Sequence, residues 1–242
     1  MYQLAIKQYL DRHGFEALNP KAVLFDMDGV LYDSMPNHAI AWQQSMAQFG
    51  IEMTADDAYA TEGARGVETI RKMVARQQGR DIDEAEAHKM YYVKSRIFHE
   101  LPEAPVMPGI LELMQQIHDD NIQIGVVTGS GQKPLINRIL KDFGTFVDEG
   151  HITTAYDVRR GKPKPDPYLK GLRKAGDLQP YEAFVVENAP LGIRAGAAAK
   201  IFTIAVNTGP LPAQTLLDAN ADLLFPTMTD FCENWGKIML SL

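Results

Sequence analysis

Ala22-Val23-Leu24-Phe25-Asp26-Met27-Asp28-Gly29 is an apolar run that ends in two acids one residue apart, followed by a glycine. The run shows no polar alternation, as expected of a parallel strand covered on both faces. In extended chain, side chains alternate with period two, so Asp26 and Asp28 point the same way and Met27 points oppositely. Two carboxylates then share one small site, which is unfavourable unless a cation or a proton relieves it. Such a pair suits a metal-assisted nucleophile beside a general acid/base, and Gly29 lets the chain turn away at once. In isolation the stretch also reads as a solvated acidic turn, so the rest of the chain has to decide.

Similar runs rich in Val, Ile and Phe occur at 122–127, 183–186 and 201–206, with a weaker one at 222–225. Between them lie helical stripes: Ile110, Leu113, Met114 and Ile117, then Ile136, Ile139, Leu140 and Phe143. This alternation predicts an α/β fold, a doubly wound parallel sheet of Rossmann-like kind, with its ligand beyond the carboxyl ends of the strands. The stretch 34–106 is far too long for an ordinary crossover of about 30 residues. Its patterns are helical, at Val67, Ile70 and Val74 and at Met90, Val93, Ile97 and Leu101. It is expected to be an all-helical cap domain over 34–106, inserted into a core domain formed by 1–33 and 107–242. Pro102, Pro105 and Pro108 punctuate the return to the core.

The 242 residues are 45% hydrophobic and 23% charged, which places the chain among globular proteins, and the net charge is −7. That charge offers no basic field for nucleic acid or an anionic membrane. No apolar run approaches the ~20 residues that span a bilayer, and Lys7, Asp11 and Arg12 make residues 1–20 unlike a signal peptide. A cytoplasmic protein is expected. Cys232 is the only cysteine, so no internal disulfide or thiol-rich metal site can form; it is expected to be buried as a small hydrophobe. The segment before Pro20 carries no motif, and nothing in the sequence sets the oligomeric state.

Three further motifs fall just after expected strands. In Val127-Thr128-Gly129-Ser130-Gly131, backbone N–H groups and the hydroxyls of Thr128 and Ser130 can hold phosphate oxygens, although structural turns share this composition. Gly161-Lys162-Pro163-Lys164-Pro165-Asp166 places two lysines in a stiff loop; either can aim a cation at a phosphoryl group, with Asp166 a helix N-cap candidate. Val186-Glu187-Asn188-Ala189-Pro190 puts an acid and an amide at another strand end, where oxygen ligands can complete a Mg²⁺ shell with Asp26; a helix cap is the plainer reading. Four such motifs in this order argue for one site.

With these motifs in place, the chain from Lys21 onward resembles the haloacid dehalogenase superfamily, and within it the β-phosphoglucomutase-like branch with a helical cap. FDMDGVLYDS, VVTGS, GKPKPDPY and VVENAPLGI match its four motifs in order. The resemblance implies Asp26 as nucleophile, Asp28 as acid/base, Thr128 with Gly129 and Ser130 as the phosphate-binding turn, and Lys162 rather than Lys164 as the neutralising cation. It implies Mg²⁺ held by Asp26, the backbone carbonyl of Asp28, Glu187 and Asn188. Asn188 stands where the family usually has Asp, one negative charge fewer around the ion. His38 and Trp42 fall where the mutase has a His and a Trp facing its site, and a packed helix face also explains them.

The expected activity is Mg²⁺-dependent phosphatase action on a small phosphorylated metabolite through an aspartyl-phosphate. A sugar-phosphate mutase is the alternative, and a non-catalytic phosphoaspartate switch, which has no use for a cap, ranks behind both. Dehalogenation is opposed by Asp28, since a leaving halide needs no proton. In the mutase, a second phosphate is gripped by a cap Arg and by a Ser-Lys-Asn after the second strand. Here those positions read Gly66, with Arg65 one place early, and Ser130-Gly131-Gln132. Each charge-assisted phosphate contact contributes roughly 1.5 to 3 kcal/mol, so two missing anchors favour the phosphatase unless Arg65 substitutes.

Overall fold

A computed structural model describes residues 2–130 and 133–242. Gly131 and Gln132, the end of the hydroxyl-rich turn and of the Ser130-Gly131-Gln132 comparison, lie outside the described residues. Six parallel strands form one sheet in the order β3-β2-β1-β4-β5-β6. They are β1 (Ala22–Phe25), β2 (Gln123–Val127), β3 (Ile152–Thr153), β4 (Ala183–Glu187), β5 (Phe202–Val206) and β6 (Leu223–Phe225). The doubly wound sheet expected from the sequence is therefore present. β3 was not expected: two residues in His151-Ile152-Thr153-Thr154 offer too short an apolar run to register, and the strand exists because Val126 and Val127 supply its partners.

Period two divides the sheet between two cores. Val23 and Phe25 face one side with Ile124, Val126, Phe184 and Val186. Ala22 and Leu24 face the other with Val127, Val185, Tyr168 and Leu172. Helices α6 (Ile110–Asp119), α7 (Lys133–Phe143) and α11 (Met228–Met239) cover the first face, and Trp235 and Phe231 of α11 pack into it. Cys232 is buried on the same helix. Helices α8 (Asp166–Lys174) and α9 (Pro190–Ala198) cover the second face. Asp166 is the first residue of α8 rather than its N-cap, and its carboxylate instead accepts two hydrogen bonds from Arg160, both at 3.0 Å.

Between β1 and α6 the chain forms α2 (Met35–Ala47), α3 (Ala55–Ala60), α4 (Gly66–Gln78) and α5 (Glu84–Glu100). These four helices bury their own apolar cluster, including Trp42, Met46, Ile70, Met73 and Met90, separate from the clusters on the sheet. Thr54 caps α3 through a reciprocal box with Asp57, and Asp83 caps α5 by accepting from the Glu86 N–H. This is the helical cap.

The segment before Pro20 forms α1 (Tyr2–His13). Tyr9 is fully buried, edge-on to Phe202 at 5.3 Å, and its hydroxyl donates to the Lys200 carbonyl at 2.8 Å. Arg12 pairs with Asp222 at 3.0 Å, which ties the helix to the start of β6. No described helix is long and apolar enough to cross a membrane. Tyr9→Phe keeps the ring and removes only the hydroxyl, so the unfolding free energy should fall by about 1 kcal/mol, read as a lower urea midpoint with unchanged slope. An unchanged midpoint would mean that the hydroxyl contributes nothing to docking α1.

Candidate active site

The chain passes from β1 to β2 on one side and reaches β4 on the other, so the order reverses beside β1. Loops diverge there and leave a crevice at the carboxyl ends. The register sets Phe25 level with both Val126 and Val186, so Asp26, the residue after β1, lies level with Glu187 at the end of β4. The Asp26 N–H donates to the Val186 carbonyl at 3.0 Å.

Lys162 enters this crevice from the proline-rich loop and is 2% exposed. Its ammonium donates to Asp26 Oδ1 at 2.5 Å, Glu187 Oε1 at 2.6 Å and the Val127 carbonyl at 3.2 Å, using all three N–H groups. Burial disfavours its charge, but Asp26 and Glu187 outweigh that and hold its pKa above the ordinary lysine value. Burial raises the Asp26 carboxyl, Lys162 opposes the rise, and the Glu187 and Asp28 charges add to it. Lys164 makes no such contact; it is exposed on the outside of the loop.

Glu187 is fully enclosed. Its Oε1 also accepts from the Tyr168 hydroxyl at 2.7 Å, and its Oε2 accepts from the backbone N–H groups of Asn188 and Ala189 at 3.2 and 3.3 Å. A Cβ on Gly192 would lie 1.7 Å from Oε1, so α9 can approach only with glycine there. Both oxygens of Glu187 are thus committed to donors of the protein itself.

Asn188 is placed differently. Its Nδ2 donates to Glu62 Oε1 in the cap at 2.8 Å, while its buried Oδ1 has no hydrogen-bond partner among the described residues. Gly29, at φ +74°, leaves room for it, since a Cβ would sit 1.9 Å from Nδ2. Burial raises Glu62 well above the usual carboxylate range, the Asn188 hydrogen bond opposes this, and the charges of Asp26, Glu187 and Asp28 raise it further. A buried oxygen without a donor fits a cation ligand. The described residues hold no ready group of three His, Cys, Asp or Glu side chains for a metal, so any ion must rely on amide, backbone and substrate oxygens.

Asp28 has its own partners. Its Oδ1 accepts from Ser34 Oγ at 2.6 Å and from His38 Nε2 at 3.1 Å, while His38 Nδ1 meets the Lys94 ammonium at 2.6 Å. Lys94 can only donate, so His38 carries its proton on Nε2 and points it at Asp28. Burial would raise Asp28, but His38, Ser34 and Lys94 prevail and hold it at about 2. Burial lowers His38, as does Lys94, against Asp28. Burial brings Lys94 down to about 8. His38 stacks on Phe98 at 4.2 Å, and Lys94 lies 5.2 Å over the Trp42 ring, so Trp42 lines the cavity with the two acids and also supports the cation.

A cavity between cap and core exposes Asp26, Asp28, Gly129 and Ser130 to His38, Glu62 and Lys94. Thr128 lies just behind, its hydroxyl accepting from the Ser130 N–H at 3.0 Å, and lines a smaller adjoining cleft with Lys162 and Arg65. Arg65 itself donates to the Arg159 carbonyl at 3.2 Å and does not line the cavity with Asp26. Sequence reading did not single out Glu62, Lys94 or Tyr168. Lys94 gave a signal, a charge inside the apolar stripe Met90–Ile97–Leu101 of α5; Glu62, in a short polar loop, gave none.

A model of haloacid dehalogenase-like hydrolases matches residues 20–200. The chain belongs to the haloacid dehalogenase-like hydrolases. Hexitol phosphatase A of Escherichia coli is 33% identical over 86% of this chain and 91% of its own. β-Phosphoglucomutase of Bacillus subtilis is 29% identical over 90% of this chain and 96% of its own. The solved structure of "Putative beta-phosphoglucomutase from Bacteroides vulgatus" superposes with a TM-score of 0.95 at 46% identity, covering 100% of this chain and 98% of the other. This haloacid dehalogenase-like hydrolase is a phosphoryl-transfer enzyme.

Lys94→Met removes the second cause of the lowered His38 pKa and leaves burial in place. The titration midpoint of His38, followed by NMR of its ring protons, should therefore rise. A midpoint unmoved by the substitution would show that Lys94 does not act on His38.

Proposed function

We propose that the enzyme is a Mg²⁺-dependent phosphatase of small phosphorylated metabolites, sugar phosphates foremost, with Asp26 as nucleophile and Asp28 as acid/base. One observation carries the reading: the two carboxylates are two residues apart yet share no partner. Asp26 is bound to Lys162, while Asp28 is bound to Ser34 and His38. Groups with separated environments take separate roles.

Asp26 attacks phosphorus, the alkoxide leaves with a proton from Asp28, and water then attacks the aspartyl-phosphate while giving its proton to Asp28. Asp28, held at about 2, rests as the carboxylate that the second step needs. For the first step it must be charged with a proton. The His38 Nε2–H faces Asp28 Oδ1 at 3.1 Å and is the donor placed to supply it. Lys162 offsets the charge of Asp26 against the incoming phosphate, and Thr128, Gly129 and Ser130 present the turn that receives its oxygens. Mg²⁺ would supply Lewis-acid polarisation of the phosphoryl oxygens, held by Asp26, the Asp28 carbonyl and Asn188 Oδ1, the oxygen without a donor. Glu187 belongs with Lys162 in this reading.

The relatives include both a phosphatase and a mutase. Arg65, the one candidate for a second phosphate anchor named in the sequence, is turned to the Arg159 carbonyl, which supports hydrolysis over isomerisation. A panel of phosphorylated metabolites with Mg²⁺, scored for free phosphate against isomerised sugar phosphate, decides between them.

Asp26→Asn should abolish turnover with the fold intact, and retention of more than about a hundredth of wild-type activity would overturn the covalent mechanism. Asp28→Asn should lose ~10² to 10⁴-fold on esters with poor leaving groups and much less of the phosphorylation step on good ones. Equal losses on both would remove Asp28 from proton transfer.

Asn188→Asp restores the family's charge and replaces a donor facing Glu62 with a repelling carboxylate. Half-maximal activity should need less Mg²⁺, and the melting temperature should rise more steeply with Mg²⁺ than in the wild type. Identical Mg²⁺ dependence of both readouts would place the ion elsewhere.

A further inference from the structure

We propose that Tyr168 is a positioning residue for the phosphoryl-transfer step, acting through Glu187 on Lys162; this rests on the assignment of Asp26 as nucleophile. Tyr168, in the first turn of α8, has no exposed surface, and its hydroxyl donates to Glu187 Oε1 at 2.7 Å. The same oxygen accepts from Lys162 at 2.6 Å, and the ammonium lies 5.1 Å from the Tyr168 ring centroid. The hydroxyl and the ring therefore act on one ammonium from two directions.

Lys162 has no donor to spare. Its three N–H groups go to Asp26, Glu187 and the Val127 carbonyl, so its distance from Asp26 is set by the balance between two carboxylates. Glu187 Oε2 is occupied by two backbone N–H groups, of Asn188 and Ala189, in the turn that leads into α9. Oε1 is the adjustable atom, and Tyr168 is its second donor. With the hydroxyl present, the charge on Oε1 is shared between two donors. Without it, Lys162 alone faces that charge in a site closed to water and is drawn toward Glu187, away from the oxygen that must attack phosphorus. A charge misplaced in an enclosed site costs transition-state stabilisation more than ground-state binding.

The test is Tyr168→Phe, compared with Tyr9→Phe, in which an equally buried tyrosine far from the crevice loses its hydrogen bond to the Lys200 carbonyl. Both should lower the melting temperature to a similar extent. Tyr168→Phe should also lower kcat about tenfold with KM within about twofold, while Tyr9→Phe leaves both unchanged. In a Glu187→Gln background, adding Tyr168→Phe should cost less than about twofold further, because the path through the carboxylate is already broken. Unchanged kcat in Tyr168→Phe, with only stability lost, overturns the proposal; so does a full tenfold loss that persists in the Glu187→Gln background. Failure of the nucleophile assignment is separate, since it shows as activity retained by Asp26→Asn whatever Tyr168 does.

Discussion

A buried ammonium between two carboxylates, Lys162 between Asp26 and Glu187, is the constraint on which the rest of the site depends. Taking three charges out of water costs several kcal/mol per ion unless every donor and acceptor is matched. Here the matching is supplied by the fold. Parallel pairing of β1 with β4 sets Asp26 level with Glu187, β2 offers the Val127 carbonyl, α8 brings the Tyr168 hydroxyl, and the turn into α9 brings two backbone N–H groups. Three strands and two helices must be in register for one lysine to be satisfied, so the geometry at Asp26 is a property of the whole sheet.

The cap meets this core through polar contacts that include two acids. Asp28 reaches His38 and, through it, Lys94; Asn188 reaches Glu62. Both contacts are polar, the second fully buried and the first partly so, and a buried polar contact is costly when half made. His38, Lys94 and Glu62 are thereby held in surroundings that lower the first two groups and raise the third.

What the sequence made legible follows from range. β1, β4 and β5 are runs of apolar residues that no other environment tolerates, and the motifs at their ends inherit their placement from the sheet. Lys162 was chosen over Lys164 only through resemblance, because both sit in the same loop; the structure separates them by burial. β3, Glu62 and Tyr168 were not legible. β3 is too short to pattern, Glu62 gains its role from a contact 126 residues away, and Tyr168 looks like any aromatic on the inner face of a helix. Arg65 shows the opposite failure, a residue one place from a useful position in sequence that the start of α4 turns into another cleft.

Asn188 is where local and distant effects meet. An aspartate in its place would add charge for a cation but would stand against Glu62, with Asp26, Glu187 and Asp28 already raising that acid. The amide resolves the conflict by facing two ways, its Nδ2 donating to Glu62 and its Oδ1 left open. Because Glu62 is itself pushed well above the usual carboxylate range, the amide satisfies this contact between core and cap without adding a further charge.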